Sequence, residues 1–210
     1  MIKILIGDDH SVVRQGLKQI LSENKELYEC AEAENGQQVL DMLFDAEWDV
    51  IILDISMPGL NGLDVLKSIR RIKPKLPVLV LTMYSEDQFA IRSIKAGASG
   101  YLTKDSAPEE LVKAVKKLLK GEKYVSLYLA EILATDIGHT TEGMLHKSLS
   151  DREFQVMRLI ASGKTTGETG DNLGLSAKTI STYRTRILHK MGMTSNAELT
   201  RYAVQNKLIM

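Results

Sequence analysis

A parallel α/β domain followed by a smaller all-α domain is the fold class that three features of this 210-residue chain predict. Over residues 1–120, short apolar runs alternate with stretches of helical periodicity. Two of the runs, Val50-Ile51-Ile52-Leu53 and Val78-Leu79-Val80-Leu81, are apolar throughout, as strands buried on both faces must be. From Ser150 onward only helical periodicity is present.

In order, Ile4-Leu5-Ile6 predicts a strand, and Val12, Val13, Leu17, Ile20 and Leu21 mark the first helix. Tyr28 to Ala33 is the second strand, and Val39, Leu40, Leu43 and Phe44 form the next helix face. Val50 to Leu53 is followed by the helix of Leu63, Leu66, Ile69 and Ile72, and Val78 to Leu81 by a helix from Phe89 to Ala96. Gly100-Tyr101-Leu102-Thr103 and the helix of Leu111, Val112, Val115, Leu118 and Leu119 complete five βα units, which imply a parallel sheet covered on both sides. Residues 121–147 read as a connection. Tyr124 to Ala134 has the pattern of a short helix, and Gly138 to Gly143 that of a flexible linker. Ser150 with Glu153 is a capping box opening a helix over Phe154 to Ile160. A short helix, Thr166 to Leu173, a tight turn at Gly174-Leu175-Ser176, a helix from Ala177 to Met191 capped by Ser176, and a last helix from about Asn196 to Gln205 follow. The predicted domains are therefore 1–120 and 148–210.

Hydrophobic residues at 44% and charged residues at 26% exclude a mostly disordered chain. No apolar run approaches the ~18–20 residues of a membrane span, and the short N-terminal run ends in acid without a signal-peptide cleavage pattern. The single Cys30 cannot form an internal disulfide, so a reducing cytoplasm is the expected location. Zero net charge conceals an asymmetry: residues 1–120 and 121–147 each carry −2, and residues 148–210 carry +4. Ala177 to Met191 holds Lys178, Arg184, Arg186, His189 and Lys190 and no acid, which suits either a polyanion partner or a solvated basic face.

Ligands of a parallel α/β sheet sit beyond the carboxyl ends of its strands. There the sequence places Asp8 and Asp9 after the first strand, Asp54 after the third, Thr82 at the end of the fourth and Lys104 after the fifth. Two carboxylates ~5 Å apart at an effective dielectric near 20 repel by roughly 3 kcal/mol. A hard divalent cation relieves that repulsion, and carboxylate oxygens with few protein ligands suit Mg²⁺. With the cation in place, a carboxylate can attack phosphorus. Asp54, on a central strand before the turn Ser56-Met57-Pro58-Gly59, is the candidate, with Thr82 and Lys104 to hold phosphoryl oxygens.

Asp8-Asp9-His10, Asp54 to Gly62, Leu81-Thr82 and Gly100 to Asp105 together resemble the receiver domain of two-component response regulators over residues 1–120. The resemblance implies a flavodoxin-like sheet of order 2-1-3-4-5 and Asp54 as phosphoacceptor for a sensor histidine kinase. It implies Mg²⁺ held by Asp9, Asp54 and the backbone carbonyl of Ser56, with Asp8 acting mainly through water. It also implies Thr82 following the phosphoryl group and Tyr101 turning inward as a switch, altering the surface around Phe89, Ile91 and Ile94.

The tight turn before a basic helix is a helix-turn-helix pattern. On a helical wheel Ile180, Ile187 and Met191 face inward, while Lys178, Ser181, Thr182, Thr185, Arg186 and His189 face away, hydroxyls framed by cations, as a helix lowered into a DNA major groove requires. Leu149 to Glu153, Gly163-Lys164, Leu173, Leu175 to Ile180, Lys190-Met191-Gly192 and Ala197-Glu198-Leu199 resemble the DNA-binding domain of LuxR-type regulators, so that nearly the whole chain resembles a NarL/FixJ-type response regulator. By that resemblance Ser181, Thr182 and Thr185 read bases, and Lys178, Thr179, Tyr183 and Lys190 contact the DNA backbone. A dimer formed on phosphorylation is expected to pair through the last helix around Leu199 and Ala203.

The chain departs from the family at Thr166-Gly167-Glu168-Thr169-Gly170, where Asn-Lys-Glu-Ile-Ala is usual, and at Tyr183, where histidine is common. Each interior helix glycine costs roughly 1 kcal/mol relative to alanine, so the helix supporting the basic one is expected to be loose. A phosphoacceptor whose output is protein binding is the alternative reading. A phosphatase would need an acid two residues after the nucleophile, and Ser56 stands there. The first strand also lacks the glycine pattern of a dinucleotide site.

Overall fold

The structure is a computed structural model of the chain. It describes all residues except 24–27, 85, 128, 132–143, 207 and 210, and does not describe the side chains of 86–88. The chain forms two compact units, Met1–Thr135 and Asp136–Met210.

The first unit runs β1 (Ile2–Gly7), α1 (Ser11–Ser22), β2 (Tyr28–Ala33), α2 (Gly36–Asp45), β3 (Val50–Leu53), α3 (Gly62–Ile72), β4 (Val78–Thr82), α4 (Glu86–Lys95), β5 (Gly100–Thr103) and α5 (Ala107–Leu119). The strands form one parallel sheet of order β2-β1-β3-β4-β5, as expected. Every residue of β3 and β4 is buried, which is why their sequences are apolar without alternation, while edge strand β2 keeps polar positions. Ile4, Ile6, Ile52, Leu79 and Leu81 pack in one core with Leu17 and Leu21 of α1 and Leu111, Val115 and Leu118 of α5. Their alternate neighbours Leu5, Ile51, Leu53 and Val80 are equally buried toward the other face, where α2 and α3 meet.

Beyond α5 the expectation of a helix starting at Tyr124 is corrected. Tyr124 makes a parallel bridge to Gly100 at the sheet edge, its N–H donating to the Ser99 carbonyl at 2.9 Å and its carbonyl accepting from the Tyr101 N–H at 3.1 Å. Helix begins only at residue 127, after Ser126 accepts the Leu129 N–H at 2.9 Å. A buried tyrosine can complete an unpaired strand edge as readily as it can start a helix, and local pattern does not separate the two. The predicted linker 138–143 lies outside the described residues.

The second unit opens with a 3-10 turn, Leu145–Ser148, and continues with α6 (Asp151–Ala161), α7 (Thr166–Leu173), α8 (Ala177–Met191) and α9 (Asn196–Gln205). Both halves of the Ser150–Glu153 capping box form. A second box, Thr165–Glu168, opens α7 and was not foreseen. Gly174 (φ 63°) closes α7 in the left-handed conformation that makes the turn into α8 tight. Phe154, Val156, Met157, Ile160, Leu173, Ile180, Ile187, Met191, Leu199 and Ala203 are buried in this unit.

The two α7 glycines differ. A Cβ on Gly167 would meet nothing closer than 3.9 Å, whereas one on Gly170 would lie 2.4 Å from the Leu175 carbonyl oxygen, so the close approach of the turn requires glycine only at 170. Thr169 is fully buried and its hydroxyl has no hydrogen-bond partner among the described residues. That hydroxyl is the physical cost of a threonine at a core position.

Candidate functional site

The strand order brings the predicted acidic residues together at the carboxyl edge. Asp8 and Asp54 are 1% and 2% exposed. The Asp54 N–H donates to the Gly7 carbonyl at 2.8 Å, tying β3 to β1 at the site, and the Lys104 N–H donates to the Thr82 carbonyl at 2.8 Å, tying β5 to β4. The Lys104 ammonium lies 2.8 Å from Asp54 Oδ2 and 2.7 Å from Asp8 Oδ2. Only the Asp54 contact is an aligned hydrogen bond, so Asp8 Oδ2 stays buried with an ion pair alone. The Ser56 N–H donates to Asp54 Oδ1 at 3.1 Å. Gly62 starts α3 directly behind this turn, and a Cβ there would lie 2.0 Å from the Asp54 carbonyl oxygen. Asn61 caps α3, accepting the Asp64 N–H at 3.0 Å, and fixes the far end of the loop.

Burial pushes the Asp54 carboxyl above its ordinary pKa, and the Asp8 charge adds to this against the pull of Lys104. Burial works against the Lys104 ammonium, but Asp54 and Asp8 outweigh it and hold its pKa above the ordinary lysine value. The result is an acid pair short of positive charge, held by one ammonium. Single ligand atoms from Asp8, Asp9, His10 and Asp54 lie within 4.8 Å of one another. His10, part of the sequence motif but given no role there, places Nδ1 2.9 Å from Asp9 Oδ1 and 3.2 Å from Asp8 Oδ1. Hard carboxylate oxygens and an under-satisfied buried Asp8 Oδ2 fit a small divalent cation.

Thr82 is fully buried, with Oγ1 accepting the Tyr84 N–H at 3.4 Å. Tyr101 is also fully buried, its hydroxyl donating to the Tyr84 carbonyl at 2.7 Å, while Tyr84 stacks on Phe89 at 4.4 Å. The inward position of Tyr101 is therefore already taken. Phe89 is fully buried, so the expected responsive surface there narrows to half-buried Ile91 and Ile94.

In the second unit Ile180, Ile187 and Met191 are buried, as the helical wheel requires, and Leu188 joins them. Lys178, Ser181, Thr182, Thr185, Arg186, His189 and Lys190 are exposed, and Thr179 and Tyr183 are half-buried. Lys178, Thr179, Thr182, Tyr183 and Arg186 line a shallow hollow of about 330 Å³. Two features were not legible in the sequence. The hydroxyls of Ser181, Thr182 and Thr185 donate to the carbonyls of Ala177, Lys178 and Ser181 at 2.9, 3.1 and 3.1 Å, so they present acceptor lone pairs outward. Lys190 is engaged within the unit, 2.7 Å from the buried Glu153 carboxylate. Burial pushes the Glu153 pKa up, but Lys190 and Ser150 overcome it and hold it below 4.5. The expected pairing surface is corrected: Leu199 and Ala203 are fully buried within the unit, and α9 exposes Ala197, Arg201 and Val204 instead.

Residues 4–116 match the response regulator receiver domain family, and residues 147–203 match the bacterial regulatory proteins of the luxR family. The chain is 36% identical over 210 residues to the response regulator GacA of Pseudomonas aeruginosa, covering 100% of this chain and 98% of that one. It is 34% identical over 209 residues to UvrY of Escherichia coli K12, covering 99% and 96%. Among solved structures, it is similar to RcsB of Salmonella enterica serovar Typhimurium bound to promoter rprA with phosphomimetic BeF3- (30% identity, TM-score 0.65, 96% of this chain and 98% of that chain) and to an RcsB–DNA complex (29% identity, TM-score 0.59, 97% and 98%). No helix among the described residues is long and apolar enough to cross a membrane. A five-stranded receiver with an acidic pocket, joined to a helical LuxR-type unit, places this chain in the family of two-component response regulators of the NarL/FixJ type.

Proposed function

We propose that Asp54 takes a phosphoryl group from the phosphohistidine of a sensor kinase and that this controls dimerisation and DNA binding by the second unit. The observation that carries the reading is the convergence of buried Asp8, Asp54 and Thr82 with Lys104 on one sheet edge. An Asp54 carboxylate oxygen forms the new bond to phosphorus as the donor's N–P bond breaks, and the histidine nitrogen leaves with the electron pair. Asp9, Asp54 and the Ser56 carbonyl would hold Mg²⁺, with Asp8 acting mainly through water, and the ion would supply charge neutralisation among the carboxylates and the incoming phosphoryl oxygens. Lys104 pairs with the phosphoryl oxygens and the Thr82 hydroxyl donates to them, with Tyr101 filling the space behind. Self-phosphotransfer and slow self-hydrolysis are the only chemistry this arrangement supports, and the working place is the cytoplasm.

The receiver spans 1–120, the connection 121–147 and the DNA-binding domain 148–210. The relative RcsB is solved on DNA, and the exposed face of α8 fits the same use here. Lys178, Thr179, Tyr183, Arg186, His189 and Lys190 meet the phosphate backbone, while Ser181, Thr182 and Thr185 meet base edges as acceptors. Two subunits pairing over Ala197, Arg201 and Val204 of α9 put their α8 helices in successive major grooves, roughly 10 base pairs apart.

The test is phosphorylation with Mg²⁺ and a small acyl phosphate, read by intact mass. The wild type gains one acid- and base-labile phosphoryl group and Asp54→Ala gains none; undiminished labelling of the variant overturns the assignment. Gel shifts at several salt concentrations, with and without phosphorylation, test the output. Unchanged affinity and unchanged sedimentation overturn the control by phosphorylation.

A further inference from the structure

We infer that Arg14 is the positioning residue that preorganises the acidic pocket for its divalent cation, an inference that rests on the proposed Mg²⁺-dependent phosphoacceptor role. Arg14 stands on α1, with its side chain 7% exposed. Its Nη1 donates to the Asp8 carbonyl at 2.8 Å, its Nε to Glu32 Oε2 at 2.9 Å and its Nη2 to Glu34 Oε1 at 3.0 Å. The Asp8 carbonyl belongs to the peptide that joins Asp8 to Asp9. On the other side of Asp8, its N–H donates to the Ala33 carbonyl at 3.1 Å. The Asp8 backbone is thus fixed on both sides, its N–H by the end of β2 and its carbonyl by the guanidinium. Glu32 and Glu34 anchor that guanidinium to the end of β2, and Lys18 braces Glu32 at 2.6 Å.

The geometry uses what arginine alone offers: a planar fork with donors in several directions, held by two carboxylates while a third arm orients a backbone oxygen. Lysine keeps the charge and cannot span the three acceptors. The two glutamates neutralise Arg14, so it organises the pocket without placing an uncompensated positive charge beside a cation site. Groups that orient metal ligands from behind typically control affinity by 10–100-fold.

Positioning and simple charge make opposite predictions. Removing a cation near an acidic pocket should tighten Mg²⁺ if charge alone mattered; removing the clamp should weaken it. The experiment titrates Mg²⁺ into the full-length wild type, Arg14→Ala, Arg14→Lys and Glu32→Gln. It follows the Asp8 and Asp9 amides by NMR and, separately, the half-saturating Mg²⁺ for phosphorylation. Arg14→Ala should raise both midpoints about ten-fold with a near-normal phosphorylation plateau at saturating Mg²⁺. Arg14→Lys should resemble Arg14→Ala, and Glu32→Gln should shift the midpoints the same way by two- to three-fold. Unchanged or lowered midpoints in Arg14→Ala overturn the inference. If Arg14→Ala does not fold, Arg14→Lys, which keeps the charge but not the fork, decides: a rise supports positioning and no change overturns it. A wild type that binds no Mg²⁺ overturns the parent reading, and an Mg²⁺-binding wild type with indifferent variants overturns only the role of Arg14.

Discussion

The two units solve recognition in opposite ways. In the receiver, the residues proposed for chemistry are charges brought from three strand ends, with Asp54 and Asp8 sharing the one Lys104 ammonium and the Asp8 backbone held by Arg14. In the second unit the proposed contacts lie along one helix face and are exposed, with hydroxyls bonded to their own helix. A buried cluster must be right in every member, because one unpaired charge in low dielectric is costly. A solvated face loses contacts one at a time, because water replaces whatever is removed. Substitutions should therefore act as all-or-none in the first and by degrees in the second.

Lys190 should break that contrast most clearly, since it alone of the proposed α8 contacts is 2.7 Å from a carboxylate that is itself buried. Lys190→Ala is expected to cost the second unit about 2 kcal/mol, the range of a hydrogen bond to a charged group, besides weakening DNA binding. Lys178→Ala should leave thermal stability unchanged, weaken all DNA sequences alike and flatten the salt slope by roughly one unit. Chemical denaturation beside gel shifts separates the two, and equal stability of both variants would remove the exception. The pH dependence sharpens it. The folded Glu153 pKa is depressed, so its stabilising contribution is complete above pH 4.5 and is lost as pH falls through the lower folded value. Acid unfolding of the second unit should steepen below pH 4.5 in the wild type and less so in Lys190→Ala.

A smaller effect is expected inside the same unit. Thr169→Val removes a buried hydroxyl that has no partner among the described residues while keeping a similar volume, and should stabilise by about 1–2 kcal/mol in a melting experiment. Smallest of all, Gly167→Ala should stabilise by about 1 kcal/mol, because the position is helical and open. Gly170→Ala should destabilise instead, its methyl meeting the Leu175 carbonyl. If both alanines stabilise, the turn into α8 yields more readily than its geometry indicates.

The amino-acid sequence by itself determined the strands, the helix starts of the second unit and the identity of the acidic edge. Apolar runs without alternation, Ser150 with Glu153, and Asp, Thr and Lys residues directly after strand patterns are local signals, and parallel topology then forces those strand ends together. Only tertiary structure decided which half of an amphipathic element is covered and by what. Leu199 and Ala203 have the pattern of an interface, yet they complete the unit's own core. Tyr124 has helical spacing but pairs with Gly100, because β5 leaves an edge open beside it. Arg14 has the look of a solvated helix residue, and Lys190 that of one more surface cation. Their carboxylate partners come from β2 and α6, 18 and 37 residues away, a separation that periodicity does not register. Periodicity reports which side of an element is apolar, whereas the pairing of buried charges depends on which distant groups the packing brings within 3 Å.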